Sequence, residues 1–397
     1  MRKALFGVVL LVVLAGCSGA IQPPGPSDDP AGPFADDRTI TVANGTLPID
    51  HQAVYDEVTR ILAVDAEPPA SIELEPGEEM GIQREPMPHF YRLVGIERPA
   101  GAEQTATALG YVRGPETVYV NEKLVEDETQ LELTLTHEYV HVIQGRTDAF
   151  EAVREGVDAP NTTDGKIVRR SILEGAATST ETVYWERHVD EGTSPAAGMA
   201  NSYRSTEGAR QWVFAPYHFG YQYVQTRTSS PEEIDTIYAD PPRTSEELLH
   251  GLPAGAEPLP PLAVDVQSTE WERNGTDRTG ELFVRVALDT ELDRERATTA
   301  AAGWGTDSRV ALTDGEDRAY VWALRWDDPA NATEFENAFV AYLDDRATRE
   351  DGIWTDEGAA YDVTTVGDET VVIVLGDESF VRSASVDGTN GSVRVAA

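Results

Sequence analysis

The chain has 397 residues, which is long enough for two domains and a tether. It carries 70 acidic against 31 basic residues, and its formal net charge is −39. The acidic residues are spread along the whole chain and no basic stripe interrupts them, which excludes nucleic acid as an expected partner.

The acidic composition predicts a surface that stays hydrated in concentrated salt. Molar salt shortens the Debye length to about 3 Å, which removes the self-repulsion of such a charge. In this respect the chain resembles the proteins of extreme halophiles.

Residues 1–17 are predicted to be a lipoprotein signal peptide. Arg2 and Lys3 precede an apolar run that is too short for a comfortable transmembrane helix. The run ends in LAGCS (14–18), which resembles a lipobox and implies lipidation of Cys17 and anchoring to the outer face of the cytoplasmic membrane. Cys17 is also the single cysteine, so no intrachain disulfide forms. An ordinary signal peptide with an incidental cysteine is the alternative.

Residues 18–37 are rich in Pro, Gly and Asp and predict a disordered spacer. The first folded domain is predicted over 38–257. N-glycosylation triplets, compatible with an exported protein, begin at Asn44, Asn161, Asn274, Asn331 and Asn390.

The most informative motif is HExxH at 137–141. A helix is predicted here, capped by Asp127 and ended by Gly145. Residues four apart share a helix face, so His137 and His141 can bind one ion while Glu138 lies beside its open position. The helix is apolar nearly all round and therefore buried, where unsatisfied polar groups would cost several kcal/mol.

A third metal ligand is expected on the next helix, predicted from about Lys166. Glu174 in LEGAA (173–177) is the candidate, and Glu181 is the main rival. A glycine in a helix interior costs about 1 kcal/mol relative to alanine, so close packing is the expected reason for Gly175. We therefore predict that the small residues after Glu174 let this helix approach the HExxH helix closely.

THEYVHVIQ followed by a helix with EGAA resembles the gluzincin group of zinc peptidases. The resemblance covers roughly residues 118–188. It implies Zn²⁺ bound by His137, His141 and Glu174, with Glu138 as the catalytic base. Thr178 stands where the thermolysin pattern has an aspartate, so the group supporting His137 is open.

Farther along, an aromatic stretch (212–225) predicts a buried helix or a pair of short helices. It holds four candidate donors to the oxyanion of the reaction, but core packing is the stronger interpretation for each of them singly. The four are Tyr217, His218, Tyr221 and Tyr223.

An accessory domain is predicted over 258–397, after a Pro-rich linker. A strand at 280–288, a helix at 293–303 and later strands and a helix suggest a ferredoxin-like α+β sandwich. The predicted fold class is therefore α+β, with a mainly helical zincin-like domain followed by this smaller domain.

The leading functional hypothesis is a lipid-anchored, extracytoplasmic zinc metallopeptidase acting on a peptide or protein. One alternative is a non-catalytic surface or binding lipoprotein that retains a peptidase-like fold. Another is a zinc hydrolase acting on a non-peptide amide.

Overall fold

The computed structural model describes residues 39–83, 86–98 and 105–397. The predicted signal peptide, Cys17 and the spacer lie outside the described residues. Within those ranges the chain is a mixed α/β protein, and none of the helices there is long and apolar enough to cross a membrane.

The described residues form thirteen α-helices and sixteen β-strands. The helices are α1 His51–Leu62, α2 His89–Leu93, α3 Glu128–Arg146, α4 Ala149–Gly156, α5 Thr163–His188, α6 Pro195–Arg204, α7 Gly208–Arg227, α8 Ile234–Ala239, α9 Ser245–His250, α10 Glu281–Leu288, α11 Arg294–Ala301, α12 Pro329–Arg346 and α13 Glu378–Ser383. The strands are β1 Thr41–Ala43, β2 Ser71–Glu75, β3 Gly81–Gln83, β4 Thr105–Thr107, β5 Gly110–Val112, β6 Thr117–Asn121, β7 Ala263–Gln267, β8 Glu272–Asp277, β9 Trp304–Asp314, β10 Asp317–Trp326, β11 Thr348–Glu350, β12 Ile353–Asp356, β13 Ala359–Val366, β14 Thr370–Asp377, β15 Ser385–Thr389 and β16 Ser392–Ala396.

A four-stranded sheet supports the HExxH helix. Its order is β1-β2-β6-β5, with β1, β2 and β6 parallel and β5 antiparallel at the edge. Val118 and Val120 alternate with less buried residues along β6 and share a hydrophobic cluster with Leu131, Leu135 and Val142 of α3. The period-two pattern of the strand thus meets the apolar face of the helix.

Helix α5 packs between α3 and α7. Gly175 contacts the backbone of Gly220 on α7, where an added Cβ would lie 2.6 Å from the Gly220 Cα. The prediction that Gly175 serves the approach to α3 is therefore wrong, because the close crossing is with α7. The predicted end of α3 at Gly145 is also wrong, since the helix continues to Arg146 and Thr147 caps it.

The C-terminal part is built on a seven-stranded antiparallel sheet in the order β11-β12-β13-β14-β10-β9-β8. Along β10, Trp322 faces a cluster that includes helices α10 and α12, while Val321 and Ala323 face the opposite side. That opposite side is covered by a second sheet, β15-β16-β7. Both faces are buried, which explains the continuous apolar runs of β10 and β14.

The predicted strand at 280–288 is wrong, because α10 occupies 281–288 and all of its residues are buried. A short run that is apolar throughout has no periodicity to distinguish a buried strand from a buried helix. The ferredoxin-like prediction is therefore wrong in its first element, and the sheet has more strands than that fold predicted.

One hydrophobic cluster crosses the predicted domain boundary at 257/258. The ring of Phe90 stacks on Phe283 of α10 with centroids 5.6 Å apart, and it meets Trp322 edge-on at 5.4 Å. The two predicted domains thus share apolar packing, and their boundaries stay predictions.

Polar contacts join the same two parts at the start of α5. The buried carboxylate of Asp164 accepts hydrogen bonds from Ser245 N (2.9 Å) and Arg278 Nε (3.0 Å). The Asp277 carboxylate accepts one from Thr163 N at 2.8 Å. Two separate segments, at Ser245 and at 277–278, therefore hold the N-terminal turn of α5.

Candidate metal centre

Helix α3 presents the HExxH residues to the interior. Its first turn is capped by Asp127, whose side chain accepts a hydrogen bond from Gln130 N at 3.0 Å, as predicted. His137 and His141 are each 1% exposed and their ring centroids lie 4.9 Å apart. Glu138 between them is fully buried.

Glu174 approaches both imidazoles from α5. Its Oε2 lies 3.2 Å from His137 Nε2 and 3.5 Å from His141 Nε2. One ligand atom from each of these three residues lies within 4.8 Å of the others. The structure therefore brings the three predicted ligands together in a buried group that can bind a metal ion.

The hydrogen bonding of four buried polar atoms indicates whether a metal ion fits this group. Both carboxylate oxygens of Glu138, His141 Nε2 and Glu174 Oε1 have no hydrogen-bond partner. Buried polar atoms are normally paired, and an unpaired one costs about 1–3 kcal/mol. Imidazole nitrogens and a carboxylate oxygen are donors that zinc accepts, so the residues fit a divalent cation and a water beside Glu138.

Glu181 lies on the opposite side of His137 from Glu174. Its Oε2 accepts a hydrogen bond from His137 Nδ1 at 3.1 Å. Glu181, the rival candidate for the third ligand, therefore supports the His137 ring instead. This is the supporting role that the threonine at position 178 left open. Its spacing of seven from Glu174, two helical turns along one face of α5, is the sequence signal for this role.

Gln144 supports the second histidine, a role that the sequence analysis missed. Its Oε1 accepts a hydrogen bond from His141 Nδ1 at 2.7 Å. Its amide nitrogen donates to the Leu173 carbonyl (3.0 Å) and to the Tyr238 hydroxyl (2.9 Å), which fixes the amide orientation. With each Nδ1 held in this way, the Nε2 atoms of both imidazoles face Glu174, where a metal ion would bind them.

The electrostatics of the group follow from its burial and contacts. Burial lowers the pKa of His137, but the bonds to Glu174 and Glu181 outweigh burial and raise that pKa to about 10. Burial likewise opposes ionisation of Glu174, yet both histidines outweigh it and lower its pKa. Burial raises the pKa of Glu138, with His141 and His137 opposing.

Of the four aromatic candidates, Tyr217 lies beside the group. Its ring centroid is 6.2 Å from that of His137, and its hydroxyl accepts a hydrogen bond from Arg170 Nη2 at 3.4 Å. Tyr223 donates instead to the Leu252 carbonyl, at 3.0 Å.

The other two candidates on α7 have different surroundings. His218 stacks on Tyr203 with centroids 5.0 Å apart, and burial lowers its pKa to about 4. The Tyr221 side chain is half-buried, and burial raises its pKa. Tyr217 is thus the aromatic candidate that the fold brings to the metal group.

The edge strand β5 covers Glu138 from the other side. A Cβ on Gly110 would lie 3.0 Å from Glu138 Cγ and 2.9 Å from Thr134 Cγ2. A glycine at this position therefore allows the backbone of β5 to lie directly against the HExxH helix.

Comparison with known proteins adds one finding. Residues 267–384 match a domain family of unknown function, DUF8575. No curated protein and no solved structure matches the chain. The matched segment contains all seven strands of the large sheet, while the candidate metal group lies before it in the chain.

Proposed function

We propose that this chain is a zinc-dependent peptidase of the gluzincin type. The observation that carries the proposal is the convergence of His137, His141 and Glu174 beside a buried Glu138 whose two oxygens have no partner. Two imidazoles and a carboxylate are a known ligand set of catalytic zinc, and a structural site has no use for a base next to the metal. We also propose that residues 38–257 adopt a zincin-like fold.

Each residue of the centre has a role in peptide hydrolysis. His137, His141 and Glu174 would hold the zinc, which would supply Lewis-acid activation of a water and of the substrate carbonyl. Glu138 would accept a proton from the attacking water at its carboxylate and then donate that proton to the leaving amine. Glu181 and Gln144 hold the imidazoles in place. Tyr217 would donate a hydrogen bond to the oxyanion.

The location of the enzyme is proposed from the sequence. The apolar run ending at Cys17 supports a lipid anchor on the outer face of the cytoplasmic membrane, and the net charge of −39 supports a high-salt exterior. Mass spectrometry of the membrane-extracted protein tests the anchor. A mature N-terminus at Cys17 that carries lipid is expected, and a protein cleaved elsewhere contradicts it.

A non-catalytic surface lipoprotein is the second candidate. The observation that favours it is the low accessibility of the centre, since His137, Glu138, His141 and Glu174 are each at most 1% exposed. A binding protein that uses zinc for stability needs no substrate access, whereas a peptidase must admit a peptide to the metal.

The deciding experiment combines metal analysis with a peptide-library digest in molar salt. Wild-type protein is expected to contain about one zinc and to cleave, while Glu138→Gln keeps the zinc and loses cleavage by at least about a hundredfold. Glu128→Gln is the matched control, because Glu128 is an exposed acid in the first turn of the same helix. Bound zinc without Glu138-dependent cleavage supports the binding protein instead.

A further inference from the structure

Arg170 is a cation at the edge of the metal-binding group. It lies one helical turn before Glu174 on α5, with its Nε 3.6 Å from Glu174 Oε1. Its Nη2 donates to the Tyr217 hydroxyl at 3.4 Å, and its Cζ lies 5.6 Å from the Tyr217 ring centroid. The guanidinium is therefore held against both a predicted ligand and the aromatic candidate.

The exposure of Arg170 differs from that of its neighbours. Its side chain is 29% exposed, whereas those of Glu174, His137 and His141 are at most 1% exposed. Of these four side chains, Arg170 is therefore the one that solvent reaches appreciably, although its Nε atom is buried. A guanidinium has five N–H donors in a planar fork that matches a carboxylate, and the contacts above use only part of that fork.

We propose that Arg170 binds the C-terminal carboxylate of the substrate and makes this enzyme a carboxypeptidase or peptidyl dipeptidase. This inference rests on the proposed peptidase function. The guanidinium contacts one oxygen of Glu174, and the other oxygen lies 3.2 and 3.5 Å from the two Nε2 atoms. An extended peptide spans roughly 3.5 Å per residue, so a carboxylate on Arg170 places the scissile carbonyl about one or two residues upstream.

The competing role for Arg170 is to orient Glu174 alone. In that case its loss weakens zinc binding and slows every substrate equally. Carboxylate recognition instead discriminates between substrates, because a charged hydrogen-bonded pair forms only with a free C-terminus. Paired substrates that differ in that one group separate the two roles.

The test uses the zinc-loaded protein in molar salt and two peptides, identical except for a C-terminal carboxylate or amide. Wild type is expected to cleave the acid with a kcat/KM roughly ten- to a hundredfold above that of the amide. Mass spectrometry should find one or two residues released from the C-terminus. Arg170→Met should bring the acid-to-amide ratio of kcat/KM to near one and change zinc affinity by less than about twofold. Arg169→Met is the control, because Arg169 is the neighbouring arginine on α5, and it should keep the wild-type ratio.

Three outcomes of the cleavage assay overturn the inference. They are equal cleavage of acid and amide by wild type, cleavage mainly at internal bonds, and an equal loss on both peptides in Arg170→Met. Calorimetric binding of both peptides to zinc-loaded Glu138→Gln keeps the test independent of turnover. A separate result is that wild type cleaves neither peptide, while zinc-loaded Glu138→Gln binds the acid more tightly than the amide and loses that preference when Arg170→Met is added. In that case the peptidase proposal fails while carboxylate binding stands. No preference for the acid in binding overturns the inference.

Discussion

The crossing of α5 and α7 offers a sharp test of the packing around the metal centre. Replacing Gly175 by alanine adds a Cβ that would lie 2.6 Å from the Gly220 Cα. Carbon atoms in contact are ordinarily about 3.5–4.0 Å apart, so the two helices must separate by about 1 Å. The obstructing atoms are backbone and cannot rotate away, as a flexible side chain would.

The expected cost follows from two opposing terms. Overpacking a close-packed interior costs about 1–3 kcal/mol, and a backbone contact belongs at the upper end. Alanine regains about 1 kcal/mol of helix propensity over glycine. Gly175→Ala should therefore lower the free energy of unfolding by about 2 kcal/mol, and it should weaken zinc binding because Glu174 is the preceding residue.

Denaturant unfolding in molar salt measures the first effect, and chelator competition measures the second. Gly198→Ala is the matched control, because Gly198 lies inside α6 and an added Cβ there meets nothing within 4 Å. The free energy of unfolding of Gly198→Ala should equal that of wild type or exceed it by up to about 1 kcal/mol. A Gly175→Ala protein as stable as wild type would refute the packing argument.

Three further predictions concern buried carboxylates. Glu181→Gln should lower zinc affinity by roughly ten- to a hundredfold in chelator competition, since His137 loses its charged support, and an unchanged affinity would contradict that role. Arg278→Met leaves the Asp164 carboxylate buried without its cation, and denaturant unfolding should show a loss of about 3–5 kcal/mol; a loss below about 1 kcal/mol would disprove this pairing. Burial and neighbouring carboxylates raise the pKa of Glu246 from 4.5 to about 9, so the folded state retains a proton that the unfolded chain releases. Stability should then fall as pH rises from about 4.5 to 9, and Glu246→Gln should be more stable than wild type at pH 8 but not at pH 4; equal pH slopes for the two proteins would argue against the raised pKa.

Local sequence signals placed several elements well. Asp127 caps α3 as predicted, because a cap depends on a side chain and an amide two or three residues away. The HExxH spacing likewise places His137 and His141 on one face of a single helix, whatever that helix packs against.

Contacts between distant segments required the tertiary structure. The sequence offered both Glu174 and Glu181 as the third ligand, since they lie two turns apart on one helix. The packing of α5 against α3 places Glu174 at the Nε2 atoms and Glu181 at Nδ1 of His137. A difference of a few ångströms in that packing separates a ligand from a support, and no spacing along the chain encodes it.

The sequence by itself determined the acidic composition, the helix that carries the two histidines and the base, and the caps that begin it, because each depends on residue type or on neighbours within one or two turns. Only the tertiary structure decided that residues 281–288 form a buried helix, that Gly175 contacts α7, and that the C-terminal segment holds the start of α5. These features arise where residues far apart in the chain compete for the same interior space, and that competition is resolved by packing.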